Sequence, residues 1–164
     1  MSCQIQRLQE QDWALWKEIR LEAVKLHPEF FGGSYEEESL WEDKDFKKGL
    51  IKSDVFGAFI ENKLIGVAGF FQFTFQKLKH RGTLFGLYVS KENRGHGVAG
   101  QLIEAVINHA RELVLQLHCT VTPDNKAAIN LYQRYGFQIY GTEPRSLKVG
   151  ENFYDEHLMV LKLD

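Results

Sequence analysis

Between an apolar run, Thr83 to Val89, and a run with helical spacing, Val98 to about Leu113, stands Arg94-Gly95-His96-Gly97-Val98-Ala99-Gly100. No other stretch of the chain limits its fold so sharply. A strand must feed a helix through a glycine-rich turn. Glycines without Cβ permit positive φ and close approach of the backbone to another molecule. The first N–H groups of a helix lack intrahelical partners and sit at the positive end of its dipole. Converging on one point, they cradle a phosphate or pyrophosphate. Arg94 adds a fixed cation whose fork matches phosphate oxygens. The bland alternative is a turn that only starts a helix.

The flanking pattern limits the architecture. Cys3 to Leu8 reads as a short strand. Trp13, Trp16, Arg20, Ala23 and Val24 carry helical spacing, with Asp12 as cap and Pro28 as stop. Phe30 to Gly33 is a loop. Ser34 and Glu37 fit a capping box for a second helix running to about Gly49. Asp54 to Ile60 and Leu64 to Phe75 form a hairpin across Glu61-Asn62-Lys63. In the helix after the glycine loop, Leu102, Val106, Ala110 and Leu113 make one stripe, widened by Ile103 and Ile107. Leu115 to Val121 is a strand. Asp124 caps a short helix, Lys126 to Tyr135, which Gly136 closes. Phe137 to Tyr140 and Phe153 to Leu163 are the last strands, joined by a loop holding Pro144 and Gly150. The order β-α-α-β-β-β-α-β-α-β-β defines an α+β fold. Its central sheet is mixed, mostly antiparallel and flanked by helices, with residues 1–164 forming one domain.

Composition excludes several classes. A net charge of −2 gives no basic excess for nucleic acid or an anionic membrane. The longest nearly apolar run, Leu64 to Phe71, falls short of the ~20 residues a membrane-spanning helix needs. Met1 to Arg7 shows no basic segment leading into an apolar one, so no secretory signal is expected. Cys3 and Cys119 are isolated and read as free thiols, which points to the cytoplasm. His27, His80, His96, His109 and His157 lack metal-ligand spacing, so no metal is expected.

Gly95 to Gly100 also matches G-x-G-x-x-G, the dinucleotide fingerprint, and Asp124 follows the next strand. A nicotinamide-dependent oxidoreductase is therefore a rival reading. Against it, the motif stands mid-chain behind antiparallel hairpins. Only about 65 residues follow it, too few for a second mononucleotide half. Asp124 has a simpler task as a helix cap. Without G-K-[ST] a P-loop is not supported.

Arg94-Gly95-His96-Gly97-Val98-Ala99 resembles the [QR]-x-x-G-x-[GA] cofactor motif of the GCN5-related N-acetyltransferase superfamily. Asn125 to Phe137 resembles its N-x-x-A-x-x-L-Y-x-x-x-G-F stretch. Gly141 to Glu156 resembles the final hairpin of small bacterial members. The resemblance implies the acyl-CoA N-acyltransferase fold and acetyl-CoA as co-substrate. The acceptor would be the amine of a small molecule or peptide. The resemblance also implies site roles. Backbone amides of Arg94, Gly95, His96, Gly97, Val98, Ala99 and Gly100 hold the pyrophosphate. The strand Leu87-Tyr88-Val89 pairs with the pantetheine arm as with a neighbouring strand. The Val89 N–H faces the thioester carbonyl, Asn125 contacts pantetheine, and Tyr132 lies beside the sulfur. A non-catalytic acyl-CoA-binding module would carry the same motifs.

In the implied reaction, a neutral amine attacks the thioester and the thiolate departs. Tyr132, with an ordinary pKa of ~10, suits an acid for that thiolate. Its plain alternative is a core aromatic. The base is open. Some members place a glutamate five residues before the motif asparagine, where this chain has Thr120. His118, two residues earlier on the same strand face, and a water chain are both candidates. The acceptor pocket is expected from the first two helices and the last hairpin. Tyr35, Glu36 and Glu37 are candidates to attract a cationic amine, against the reading that they only start a solvated helix. The sequence fixes neither the acceptor nor the oligomeric state, so a homodimer stays open.

Overall fold

The computed structural model describes residues 2–164, so the Met1 end of the expected 1–164 domain lies outside the described residues. Seven strands form one sheet: β1 (Gln4–Arg7), β2 (Asp54–Ile60), β3 (Lys63–Gln72), β4 (Arg81–Val89), β5 (Gln116–Val121), β6 (Gln138–Val149) and β7 (Asn152–Lys162). Their order is β1-β2-β3-β4-β5-β7-β6, and only the β4–β5 pair is parallel. The expected mixed, mostly antiparallel α+β sheet is the one observed. One parallel pair does not make the repeated parallel array a dinucleotide site requires.

Helices cover both faces. Helices α1 (Trp13–Leu26) and α3 (Asp43–Lys52) place Trp16, Ile19, Ala23, Phe46 and Leu50 against Val55, Leu64 and Val67. On the other face, α4 (Val98–Arg111) drives Leu102, Ile103, Val106, Ile107 and Ala110 onto Ile65, Phe70 and Leu84. The α4 stripe is one turn shorter than its sequence pattern, because Leu113 lies beyond the helix and is exposed. Burying the four larger of these side chains, at roughly 1.5–3 kcal/mol each, is what holds α4 and its N-terminus to the sheet.

Four local expectations are corrected. The second helix is broken into a single turn, α2 (Tyr35–Glu38), and α3, because the chain leaves helical geometry at Glu42. There Glu42 and Asp45 bond reciprocally to each other's N–H groups and restart the helix. Asp12 accepts from the Gln9 N–H at 2.7 Å and so closes a 3-10 turn, with no side-chain cap on α1. The cap of α5 (Lys126–Arg134) is Asn125, whose Oδ1 accepts from the Ala128 N–H at 3.3 Å, rather than Asp124. The segment expected as a loop around Pro144 is strand β6. As an edge strand it tolerates a proline that cannot donate to a ladder, and the register shifts between Glu143 and Leu147.

Candidate active site

The parallel pairing of β4 with β5 runs only from Arg81–Gln116 to Thr83–His118. Beyond Thr83 the strands part, and the sheet opens into a wedge. On its other side β4 stays paired to β3 as far as Val89, with a shifted register beside Gly86, whose φ is +65°. This bulge re-aims the end of the strand. The Ser90 N–H bonds to the Ile65 carbonyl on β3 at 2.9 Å. Residues alternate sides along a strand, so the N–H and carbonyl of Val89 face the wedge.

The wedge floors a cavity of about 570 Å³. Leu84, Phe85, Gly86, Leu87, Tyr88 and Val89 form one wall. Thr120 and Val121 of β5 and Thr122 just beyond it, with Asn125, Ala128 and Tyr132, form the other. Of the residues named from sequence, Leu87, Tyr88, Val89, Arg94, Ala99, Asn125 and Tyr132 line this cavity together. Gly95, His96, Gly97, Val98 and Gly100 lie outside its wall, around the start of α4. Gly95 and Gly97 have φ of +82° and +78°, and an added Cβ on either would meet nothing within 4 Å. The turn therefore needs glycine for its backbone angle, and its outer side is open. No side chain caps α4, so the N–H groups of Gly97, Val98, Ala99 and Gly100 keep their donors. Val98 itself points into the core, and a Cβ on Gly100 would stand 2.9 Å from the Tyr135 hydroxyl.

Arg94 departs from the free cation of the sequence reading. Its Nε donates to the Val89 carbonyl at 2.9 Å, its Nη2 lies 3.3 Å from His27 Nε2, and its guanidinium rests over the Tyr88 ring. It braces the end of β4 and presents only part of its fork outward. Tyr88 in turn donates to Glu22 Oε2 at 2.7 Å, and burial together with that carboxylate pushes its pKa up to about 12. Tyr132 is nearly fully buried and packs on Phe137 at 5.4 Å. Burial, with Cys119 adding to it, holds its phenol well above the ordinary value. The group therefore stays protonated through and beyond neutral pH. The same burial pushes the Cys119 thiol up to about 12.

His118 does not line the cavity. It lies 2.8 Å from Gln116 Nε2 and 3.4 Å from the Tyr140 hydroxyl. Burial first, then Arg81 and His80, lowers its pKa. Tyr35, Glu36 and Glu37 also stay outside. Ser34 Oγ accepts from the Glu37 N–H, and Lys25 stands 5.2 Å over the Tyr35 ring, so this segment starts α2.

The rest of the cavity wall is built by residues that sequence reasoning missed as site residues. His27, Phe30, Phe31, Gly32 and Gly33 line it together with Arg20 and with Glu156 of β7. Arg20 donates to Glu38 through Nε at 2.8 Å and Nη2 at 3.0 Å. A Cβ on Gly33 would meet Glu38 Oε2 at 1.8 Å, so the loop crosses the ion pair as close as a backbone can. Arg20 and Glu38 are eighteen positions apart and read separately as helix residues. Gly86 alone carried a signal, being an isolated glycine within a strand pattern.

An α+β sheet that opens beside an unpaired strand edge, next to a bare helix start, defines a protein built to hold an extended anionic ligand. The chain belongs to the Acetyltransferase (GNAT) family, whose model matches residues 20–137. It is 37% identical over 89 residues to the L-methionine sulfoximine/L-methionine sulfone acetyltransferase of Pseudomonas paraeruginosa, covering 51% of this chain and 50% of that one. The chain thus aligns with about half the length of the curated relatives it matches first. A GNAT-family acetyltransferase of Streptococcus pneumoniae shares the fold, with a TM-score of 0.88 and 24% identity, covering 99% of this chain and 100% of that chain. YncA of Salmonella typhimurium, solved with acetyl-CoA, superposes with a TM-score of 0.86 at 20% identity, covering 100% of this chain and 95% of that chain. No helix among the described residues is long and apolar enough to cross a membrane.

Proposed function

We propose that this chain transfers the acetyl group of acetyl-CoA to a primary amine within one ternary complex. One observation carries the reading: β4 and β5 part beyond Thr83, so the Val89 N–H faces a cavity that also holds Tyr132. The free edge of β4 accepts the pantetheine arm as an added strand. The N–H groups of Gly97 to Gly100 receive the pyrophosphate. Asn125 spends its oxygen on the helix cap and keeps its amide N–H groups for the arm.

Amine attack places negative charge on the thioester oxygen. A preorganised backbone donor such as Val89 stabilises that oxyanion by about 3–4 kcal/mol. Carbon–nitrogen bond formation is followed by carbon–sulfur cleavage. Tyr132, kept protonated by burial, gives the departing sulfur a proton. The acceptor enters between Phe30, Phe31 and Glu156, which suits a small amine with an apolar body.

Titration calorimetry with acetyl-CoA, then thiol release over a panel holding L-methionine sulfone, a polyamine and a short peptide, tests the reading. Binding followed by turnover of at least one amine is expected. No acetyl-CoA binding ends it, and binding without turnover leaves a non-catalytic module.

A further inference from the structure

We propose that Glu156, Ser146 and Glu143 form a relay carrying the acceptor's ammonium proton from the cavity to the surface; it rests on the acetyl-transfer reading. Glu156 is the one carboxylate among the residues lining the cavity. It stands where the acceptor is proposed to enter, one step beyond the pairing of Val121 with His157. Directly across the last hairpin its partner is Glu143. Like charges so placed destabilise a sheet. No ion pair among the described residues offsets them.

Between the two carboxylates lies one hydroxyl. Ser146 Oγ is 2.6 Å from Glu156 Oε1 and 2.5 Å from Glu143 Oε2. The irregularity between Glu143 and Leu147 brings it there. Arg145 takes a φ of +53°, and its N–H is pinned to Asp155 Oδ1 at 2.8 Å, which turns the strand. Other charged groups nearby are engaged elsewhere. The Arg145 guanidinium lies 3.7 Å over the Phe153 ring, and His157 Nδ1 is 2.8 Å from Thr142 Oγ1. Glu156 is partly buried, whereas Glu143 is exposed.

A serine hydroxyl has one proton and so serves one carboxylate at a time. An added proton completes the chain. An ammonium donates to Glu156 Oε2, and a half-turn of the carboxyl brings the new O–H to Ser146 Oγ. Ser146 accepts it while passing its own proton to Glu143, which exchanges with water. The neutral amine then forms the carbon–nitrogen bond, and the carbon–sulfur bond breaks in the step after it. Its second proton balances the thiolate by way of Tyr132. Ammonium and thioester become amide, thiol and one proton in solvent.

Acetyl transfer to the amine panel, followed from pH about 6 to about 10, tests the relay in Glu156→Gln, Ser146→Ala, Ser146→Thr and Glu143→Gln. Glu156→Gln should lower kcat/KM at neutral pH by about 100-fold or more. Ser146→Ala and Glu143→Gln should lower it roughly tenfold. All three deficits should shrink as pH approaches the pKa of the amine used, ~8 for a peptide α-amine and ~10 for an alkyl amine. Ser146→Thr should restore the rate, and acetyl-CoA affinity by calorimetry should not move. A Ser146→Ala profile parallel to wild type overturns the relay. So does a Glu156→Gln defect confined to KM, which would make Glu156 a binding group only. Should Ser146→Ala fail to fold, exposed Glu143→Gln decides alone. Acetyl-CoA binding with no amine turned over by wild type removes the transfer reading, and the relay with it.

Discussion

The two ends of the cavity are made of different material. In the proposed reaction the working groups of the donor end are main chain: the N–H of Val89, the free edge of β4, and the first N–H groups of α4. At the proposed acceptor end they are side chains: the Arg20–Glu38 pair, Phe30, Phe31 and Glu156. Main-chain groups are the same in every sequence. They suit a constant ligand once a bulge, a glycine turn and a helix start have set their direction. Side chains change with one substitution, so an end made of them can be altered for a different amine while the donor end stays fixed.

This contrast breaks first at Glu38. Its carboxylate is 2% exposed and holds both ends of the Arg20 fork. Glu38→Ala leaves a largely buried guanidinium uncompensated, at a cost of about 3 kcal/mol in unfolding free energy. Urea unfolding measures it. Because the pair supports the Gly32–Gly33 loop, the acceptor KM should rise while acetyl-CoA affinity holds. A loss confined to acetyl-CoA affinity would show that the two ends are not separable.

Gly97→Val attacks the other end. A β-branched side chain at φ of +78° is strained, and its methyl groups would crowd the bare N–H groups proposed to receive the pyrophosphate. Acetyl-CoA affinity should fall about 100-fold, equivalent to ~2.7 kcal/mol. The acceptor KM, measured at saturating acetyl-CoA, should change little. Undiminished acetyl-CoA affinity would remove the turn from the binding site.

The same division explains what could be read in the chain. Two strand-helix joints were legible because their glycines and motif spacing are local signals: the turn before α4 and the segment from Asn125 to Gly136. The α4 stripe was legible because five buried residues repeat with helical spacing. The acceptor end was not. Arg20 meets Glu38 only after α1 and α2 cross. Glu156 meets Glu143 only through the register of the last hairpin. The broken second helix was missed because Glu42 and Asp45 cap each other by a pairing that Glu and Lys elsewhere in the run disguise. Asn125 was assigned to pantetheine and Asp124 to the cap. The structure gives the cap to Asn125, since neighbouring residues with similar side chains differ only in which oxygen reaches the Ala128 N–H.

Tyr132 tests whether the donor end needs any side-chain chemistry. Tyr132→Phe keeps the packing on Phe137 and removes the hydroxyl. Turnover should fall about 30-fold, within the range for general acid catalysis, with acetyl-CoA affinity unchanged. The raised phenol pKa also fixes a pH signature. The folded protein holds this proton above the ordinary value of ~10, so Tyr132 imposes no alkaline limb on the rate below that pH. An unchanged rate in the variant would leave the donor end wholly to the backbone.

The smallest effect is also the most discriminating, because Asn125 works for both the fold and the cavity. Its oxygen caps α5, and its remaining amide donors are available to a ligand in the cavity it lines. Asn125→Asp keeps a capping oxygen and deletes the donors. Asn125→Ala deletes both. The aspartate variant should unfold within a few tenths of a kcal/mol of wild type, since Asp and Asn cap about equally well, yet bind acetyl-CoA several-fold more weakly. The alanine variant should add a stability loss of about 1 kcal/mol to the same affinity loss. Equal acetyl-CoA affinity in the aspartate variant and wild type would assign Asn125 to the helix alone. The donor end would then touch its ligand through backbone and Tyr132 only.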